Sequence, residues 1–484
     1  MFVVTKEIVG LAIAKQDNGK SPGFDNLTTE HLTHCHPQIL SLLATLFNLM
    51  LSCGIVPYDF GIGITIPIPK DDNLRGAQNV EGFRGITLSP VLSKVFEHCL
   101  IAMFQKYLVT SDKQYAFKSK IGCPHAIYVL RNVIDYYVEN DSTVNICCLD
   151  ITKAFDKVNH YALFTKLIKR RLPANAIRFL LFWYSNAYNN VRWGDALSQP
   201  YKLHAGVKQG GVLSPALFAV YVDDMLLKFN IFGCKMFGIS VSALMYADDL
   251  VLLAPSVREL QLMVTICCEE LALLDLQLNE KKSVGLRIGK NWSFPCCALT
   301  TSVNEIKWVN ETRYLGVYLM AGPKFACNFD KTKIKFYRAS NAILSKLGKQ
   351  SNPTTTVHLL QTIAFPILIY SLEALAVNKT RLQKIEHPWT RAFMKVFNTF
   401  DGHVVRQCQF FTSVLPLCHQ YSLRAMDFFA KLENIENMTC REIFMSRGNA
   451  EIEKLATKYG CETNVFIERY RTVIYKQFHA EVDT

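Results

Sequence analysis

The chain has 484 residues, 50% of them hydrophobic, which provides for two or three domains with sizeable cores and excludes a disordered chain. Its 53 Lys and Arg against 41 Asp and Glu leave a formal charge of +12, as expected of a surface that meets phosphates, although net charge reports on partners and not on fold. The 16 cysteines include no CxxC pair, which argues against a zinc knuckle or a redox site and for reduced core thiols.

The N-terminus, MFVVTKEIVGLAIAK, holds only a short apolar stretch between charges and no small-residue cleavage site, so it does not read as a signal peptide, and an intracellular protein is expected. Residues 1 to about 60 carry helical spacing (Leu40, Leu43, Phe47, Leu51) after a turn at Ser21, Pro22 and Gly23. Gly63 to Pro69 alternates in the strand manner, Asp71 to Phe83 is polar and turn-rich, and Leu88 to Phe104 resumes a helical period. Thr143 to Leu149 reads as a buried strand with Asp150 at its end. Ser214 and Pro215 suit an N-cap and first helical residue ahead of Leu217, Phe218, Tyr221, Val222 and Met225.

Ser240 to Tyr246 and Leu250 to Leu253 are apolar runs joined through Ala247, Asp248 and Asp249, a hairpin with two carboxylates at its tip. Ser256 and Glu259 form a capping box that opens a helix through about Leu274. From Tyr318 onward the pattern is chiefly helical, with amphipathic stretches at Phe336 to Leu347, Thr355 to Ile369, Leu382 to Phe397 and Leu423 to Leu432. Lys331, Lys333, Lys335, Arg338, Lys346 and Lys349 are frequent enough for a nucleic-acid contact, while a solvated helix face is the commoner explanation. The longest apolar run, Ile363 to Val377, contains Pro366 and Glu373 and falls short of the roughly 20 residues that span a bilayer, so no membrane segment is expected.

Adjacent carboxylates at a hairpin between apolar strands repel each other and resist desolvation unless a cation or hydrogen-bond donors compensate. Mg²⁺ is the natural candidate, since it takes oxygen ligands and is held by one or two carboxylates together with substrate phosphates. Asp223 and Asp224 form a second such pair, expected on the polar side of a helix in a structural role. His31, His34, Cys35 and His36 fall on different helix faces, and Cys408, Cys418 and His419 lack zinc-finger spacing, so neither group is expected to hold a metal.

Asp150 to Asp156 reads DITKAFD, Gly206 to Pro215 reads GVKQGGVLSP, and Tyr246 to Asp249 reads YADD. In this order they resemble reverse transcriptase motifs A, B and C. They are flanked by KSPGFDNL at Lys20 to Leu27, FRGITLSPVLSKVFE at Phe83 to Glu97, LNEKKS at Leu278 to Ser283 and YLGV at Tyr314 to Val317. The combination resembles the polymerases of non-LTR (LINE-type) retrotransposons. The likeness spans about residues 1 to 320 and continues more weakly through FPILIYSLEAL at Phe365 to Leu375.

The resemblance implies an α+β right-hand polymerase of fingers, palm with an antiparallel sheet, and thumb, followed by a mainly helical C-terminal region. Residues 1–49 would extend the fingers, 50–320 would form fingers and palm, and 321–484 the thumb and C-terminal region. It implies Asp150, Asp248 and Asp249 as catalytic carboxylates for two Mg²⁺ ions, with Asp249 the less direct ligand or a turn-stabilising carboxylate. Phe155 matches the steric-gate position that favours deoxynucleotides, or is an ordinary core aromatic. Gln209 and Gly210 would seat template and incoming nucleotide, a plain glycine turn being the rival reading. Lys70 and Arg84 would contact the triphosphate, and Lys282 would protonate leaving pyrophosphate or stand solvated.

The implied activity is RNA-directed DNA polymerisation, a nucleotidyl transfer in which an RNA template directs dNTP addition to a DNA primer or target, with no membrane partner. Cytoplasm and nucleus are the expected compartments. The alternatives are a catalytically idle nucleic-acid-binding remnant and an intron-maturase-like polymerase. Complete elements of this kind usually carry an endonuclease, and no block here resembles one.

Overall fold

The computed structural model describes residues 3–70, 80–301, 303–348 and 351–483. Residues 71–79 of the expected polar stretch, and Lys349, lie outside them. The fold is α+β, and the contacts divide the chain into two units, each gathering three stretches: 1–117, 150–229 and 265–279 in the first, and 118–149, 230–264 and 280–484 in the second.

The first unit packs helices against a small mixed sheet. Its N-terminal segment is tied down by Asn48, whose side chain accepts from Val4 N and donates to Val4 O, both at 2.8 Å. The apolar faces of Gln38–Cys53, Val91–Phe104 and Ala174–Ser185 meet in an aromatic cluster, with ring centroids at 4.7 Å for Phe47 and Phe96 and 5.1 Å for Phe96 and Phe179. All three rings are fully buried, and each such side chain contributes about 1.5–3 kcal/mol by leaving water. Ile62–Pro69 pairs antiparallel with Phe83–Leu88 and parallel with Tyr188–Trp193. Gly63 is needed at that junction, because a Cβ there would lie 2.5 Å from both Thr87 Cγ2 and Asn189 Oδ1.

Two expectations in this unit need correction. Leu213 is the N-cap of the Ser214–Lys228 helix, so Ser214 is its first residue and not its cap. Asp223 is on the buried side of that helix, 3% exposed, where it accepts from Ser111 N at 2.8 Å and pairs with Arg170 at 2.6 Å. Asp224 pairs with Lys166 at 2.6 Å. The role is structural as expected, but a fixed cation and a backbone donor, and not solvent, offset the burial of Asp223.

The second unit contains a six-stranded sheet in the order Leu299–Thr300, Glu305–Trp308, Val284–Gly289, Thr143–Asp150, Asp249–Ala254, Ala243–Tyr246. It is mixed where an antiparallel sheet is expected, since Val284–Gly289 runs parallel to Glu305–Trp308. Ser240 belongs to a separate ribbon, Cys234–Met236 with Ile239–Val241, because the chain breaks at Ser242 before entering the carboxylate hairpin. Half of the expected capping box forms: Glu259 N donates to Ser256 Oγ at 3.2 Å, while the Glu259 carboxylate accepts from Gly233 N at 2.7 Å. Tyr318 lies in a strand, Val317–Met320, and helices begin at Asp330.

Helices Gly402–Phe411, Met438–Lys458 and Thr463–Asp483 complete the C-terminal region. Its core centres on the fully buried Trp389, with Phe365 at 4.5 Å and Phe393 at 5.2 Å between ring centroids. Contrary to expectation, Pro353–Ala374 is long and apolar enough, by length and composition, to cross a membrane. Half of its most apolar window is buried in the protein, and Leu360, Phe365, Leu368 and Leu372 face the helical core. A π turn at Leu360–Ala364 and a left-handed Ser371 (φ 55°) interrupt it.

Contrary to the expectation of core thiols, Cys35, Cys53 and Cys297 are exposed.

Candidate active site

In the first unit, Asp150 heads the turn that carries Phe155 and Asp156. Its carbonyl accepts from Asn279 N at 2.7 Å, and Thr152 N donates to Gln277 O at 2.8 Å, so the backbone leaving the strand is pinned on both sides. Phe155 O accepts from Val207 N at 2.8 Å, and Gly206 N donates to Val158 O at 2.8 Å, which joins this turn to the glycine-rich loop. Gln209 Nε2 then donates to Asp156 Oδ1 at 2.8 Å.

The loop itself leans on Phe83–Leu88, where Thr87 N donates to Gln209 O at 2.6 Å. Gly210 has φ +119°, and a Cβ there would run into Thr87 O, so backbone approach and conformation both demand glycine. The half-exposed Phe155 ring stacks on the buried Phe218. Lys70 and Arg84 are exposed at one end of the same two-stranded ribbon, since Arg84 pairs with Ile68 and Lys70 N donates to Gly82 O at 2.8 Å.

Behind the loop are two charged residues that sequence reasoning passed over. Glu97 is 6% exposed and accepts from Leu213 N at 2.6 Å; burial pushes its carboxyl up against the lowering effect of these amide donors and of Lys208. Lys208 Nζ donates to Gly61 O at 2.7 Å, and burial, opposed by Glu97, pushes its ammonium down to about 8. Desolvation outweighs mutual attraction for both groups. The signal available in the sequence was a lone carboxylate on the apolar face of Val91–Phe104, where Val95, Phe96, Cys99 and Leu100 are buried.

In the second unit, the YADD hairpin pairs Asp249 with Tyr246 and Leu250 with Met245, around Ala247 at φ 58°. Asp248 is half-buried and Asp249 exposed, at the mouth of two strands that are otherwise buried. The neighbouring Thr143–Asp150 strand runs opposite to Asp249–Ala254, because Asn145 near its start donates to Ala254 O at 3.3 Å. Its Cys148 therefore comes up beside Asp249, whose charge adds to burial in pushing that thiol up to about 12.

Tyr314, buried in the YLGV block, is pushed well up by burial first and then by Cys148 and Asp249. Tyr370 OH donates to Leu315 O at 3.2 Å and braces the turn that follows. Lys282 is exposed in the turn that leads into Val284, the residue paired with Cys148.

Among the described residues no group of three or more His, Cys, Asp and Glu forms a ready-made metal site. His31 Nδ1 accepts from Thr28 N at 3.0 Å, and the buried His419 bonds Tyr459 OH at 2.9 Å and Glu481 at 3.2 Å. The hairpin carboxylates Asp248 and Asp249 supply oxygen donors only, which suits a hard divalent cation that completes its shell with water and phosphate.

The family described as reverse transcriptase (RNA-dependent DNA polymerase) matches residues 68–319. The chain is similar to the Pol polyprotein of the type-2 retrotransposable element R2DM of Drosophila melanogaster, 25% identical over 383 residues that make up 76% of this chain and 35% of that protein. It is also similar to the RNA-directed DNA polymerase of the mobile element jockey of Drosophila funebris, 25% identical over 401 residues, 79% of this chain and 42% of that protein. The probable RNA-directed DNA polymerase of transposon X-element of Drosophila melanogaster is 29% identical over 222 residues, 45% of this chain and 24% of that protein. The chain thus spans well under half the length of each of these relatives.

Among solved structures, apo telomerase from Candida tropicalis aligns at a TM-score of 0.41 with 13% identity over 90% of this chain and 74% of that one, too loose a likeness to carry an argument. Enzymes of the matched family generally use divalent metal ions, in keeping with the oxygen-only donor set. With the family match running from the Phe83–Leu88 ribbon through the glycine-rich loop and the YADD hairpin to the YLGV turn, the chain belongs to the reverse transcriptase (RNA-dependent DNA polymerase) family.

Proposed function

We propose that this chain is an RNA-directed DNA polymerase of the non-LTR retrotransposon type, extending a DNA primer or nicked target with dNTPs on an RNA template. The observation that carries the reading is the placement of Asp249 beside Cys148, two residues before Asp150, at the mouth of a hairpin whose strands are otherwise largely buried. Asp150 and Asp248 would hold the metal ions in this reading, and Asp249 would assist. Two bound Mg²⁺ ions would supply a lowered pKa at the primer 3′-hydroxyl and charge stabilisation at the attacking and leaving oxygens.

The chain's own residues do the rest. Phe155 excludes a ribose 2′-hydroxyl by bulk, and Gln209, held by Asp156, presents its amide to the template and nucleotide. Arg84 and Lys70 neutralise the triphosphate from their ribbon, and Lys282 donates a proton to departing pyrophosphate. Residues 50–320 serve as fingers and palm and 321–484 as thumb and C-terminal region, with 1–49 extending the fingers. The work is intracellular, in cytoplasm and nucleus.

Primer extension with dNTPs on matched RNA and DNA templates, with Mg²⁺ and with chelator, tests this reading. Metal-dependent extension on RNA supports it. A folded protein that binds RNA without extending any primer would favour an idle remnant.

A further inference from the structure

The loop that presents Gln209 and Gly210 is fastened from behind at both stems. Before it, Lys208 reaches back to Gly61 O at 2.7 Å; after it, Leu213 N, with the amide of Val212, donates to Glu97. Gly211 N closes the loop onto Lys208 O at 3.1 Å. An acid and a base have therefore been withdrawn from water, where each is costly and where removal of one takes an opposite charge away from the other. Packing alone does not require either charge.

We propose that Glu97 and Lys208 are positioning residues, a buried acid–base pair that braces the Gly206–Ser214 loop from both stems and so sets where Gln209 and Gly210 meet template and incoming nucleotide. This rests on the reading of that loop as the nucleotide-seating element. Neither residue touches substrate. The pair adjoins a cavity of about 30 Å³ lined also by His160, Tyr184 and Ser214, room for about one water. The other titratable groups around it are accounted for: His160 Nε2 bonds Gly206 O at 2.8 Å with His204 nearby, Tyr184 bonds Ser214, and Lys94 approaches Glu97.

The test compares the full natural chain with Lys208→Met, Glu97→Gln and the double variant, reading KM for dNTP, kcat, and amide hydrogen exchange across 206–214. In Lys208→Met the KM rises about 10-fold while kcat stays within about 3-fold, and the loop amides exchange at least about 10-fold faster. The double variant recovers part of that loss, because the neutral side-chain amide introduced by Glu97→Gln still accepts from Leu213 N and no charge is left unpaired, while the bond from position 208 to Gly61 O stays lost. Unchanged KM and exchange in Lys208→Met overturn the proposal, as does a double variant no better than that single one. If Lys208→Met does not fold, Glu97→Gln carries the same comparison. Should the natural chain extend no primer, the polymerase reading fails, and the exchange data alone decide whether the pair braces the loop.

Discussion

The ring of Phe155 lies stacked on that of Phe218, centroids 4.6 Å apart and planes 19° off parallel, with Phe117 edge-on at 6.1 Å. Phe218 is fully buried, so its helix fixes the orientation of the half-exposed ring that the sugar of an incoming nucleotide would meet. Replacing Phe155 by Val should lower the preference for dNTP over rNTP by on the order of 10- to 100-fold, about 1–3 kcal/mol of lost discrimination. Phe218→Ala should erode the same ratio and, by leaving a cavity, cost about 3–5 kcal/mol of stability. Single-nucleotide incorporation kinetics read the first effect and denaturant unfolding the second.

Gly210→Ala should reduce kcat/KM by on the order of 100-fold, since displacing a seating loop by about 1 Å has that scale of effect. The added methyl meets Thr87 O in a backbone conformation that L side chains rarely adopt. Binding of template RNA should change far less, which filter binding beside steady-state kinetics would check.

Arg131 and Glu451 pair at 2.6 Å with side chains 4% and 16% exposed, fastening the helix Cys123–Glu139 to Met438–Lys458 within the second unit. Glu451→Gln strands a buried guanidinium and should destabilise this packing by about 3–5 kcal/mol. Asp135 stands close enough to Arg131 to recover part of that cost, and its own carboxyl is already pushed up by burial. Faster hydrogen exchange along Cys123–Glu139 is the expected reading.

Stability should also depend on pH through Lys208. Its folded pKa of about 8 lies below the ordinary 10.5, so between those values the unfolded chain binds the extra proton and stability rises with pH. The rise attributable to Lys208 is on the order of 3 kcal/mol, absent below about pH 8, where both states are protonated. Lys208→Met should remove it, seen as the difference between the unfolding midpoints of the two proteins across pH 7 to 10.5.

Much of this was legible in the sequence because it is local. Alternating and helical periods placed the strand ending at Asp150 and the hairpin at Asp248 and Asp249, and ordered motif blocks carried the family. What escaped depends on contacts distant in sequence. Glu97 and Lys208 are 111 positions apart along the chain and meet only through the loop between their bonds to Gly61 O and Leu213 N and through their opposite charges. The burial of Asp223 could not be read from helix position, since its partner Arg170 caps the end of a different helix, His160–Lys169. Likewise Ser240 fits an alternating run, yet the chain breaks at Ser242 and assigns it to another ribbon.

The central claim is that the carboxylate hairpin performs metal-dependent DNA synthesis, and it is tested most directly by Mg²⁺-titrated single-nucleotide extension on an RNA template, natural chain against Asp248→Ala. The account predicts extension that saturates with Mg²⁺ in the natural chain and falls by at least about 1,000-fold in the variant, with template binding retained. Equal extension by the two proteins would contradict it.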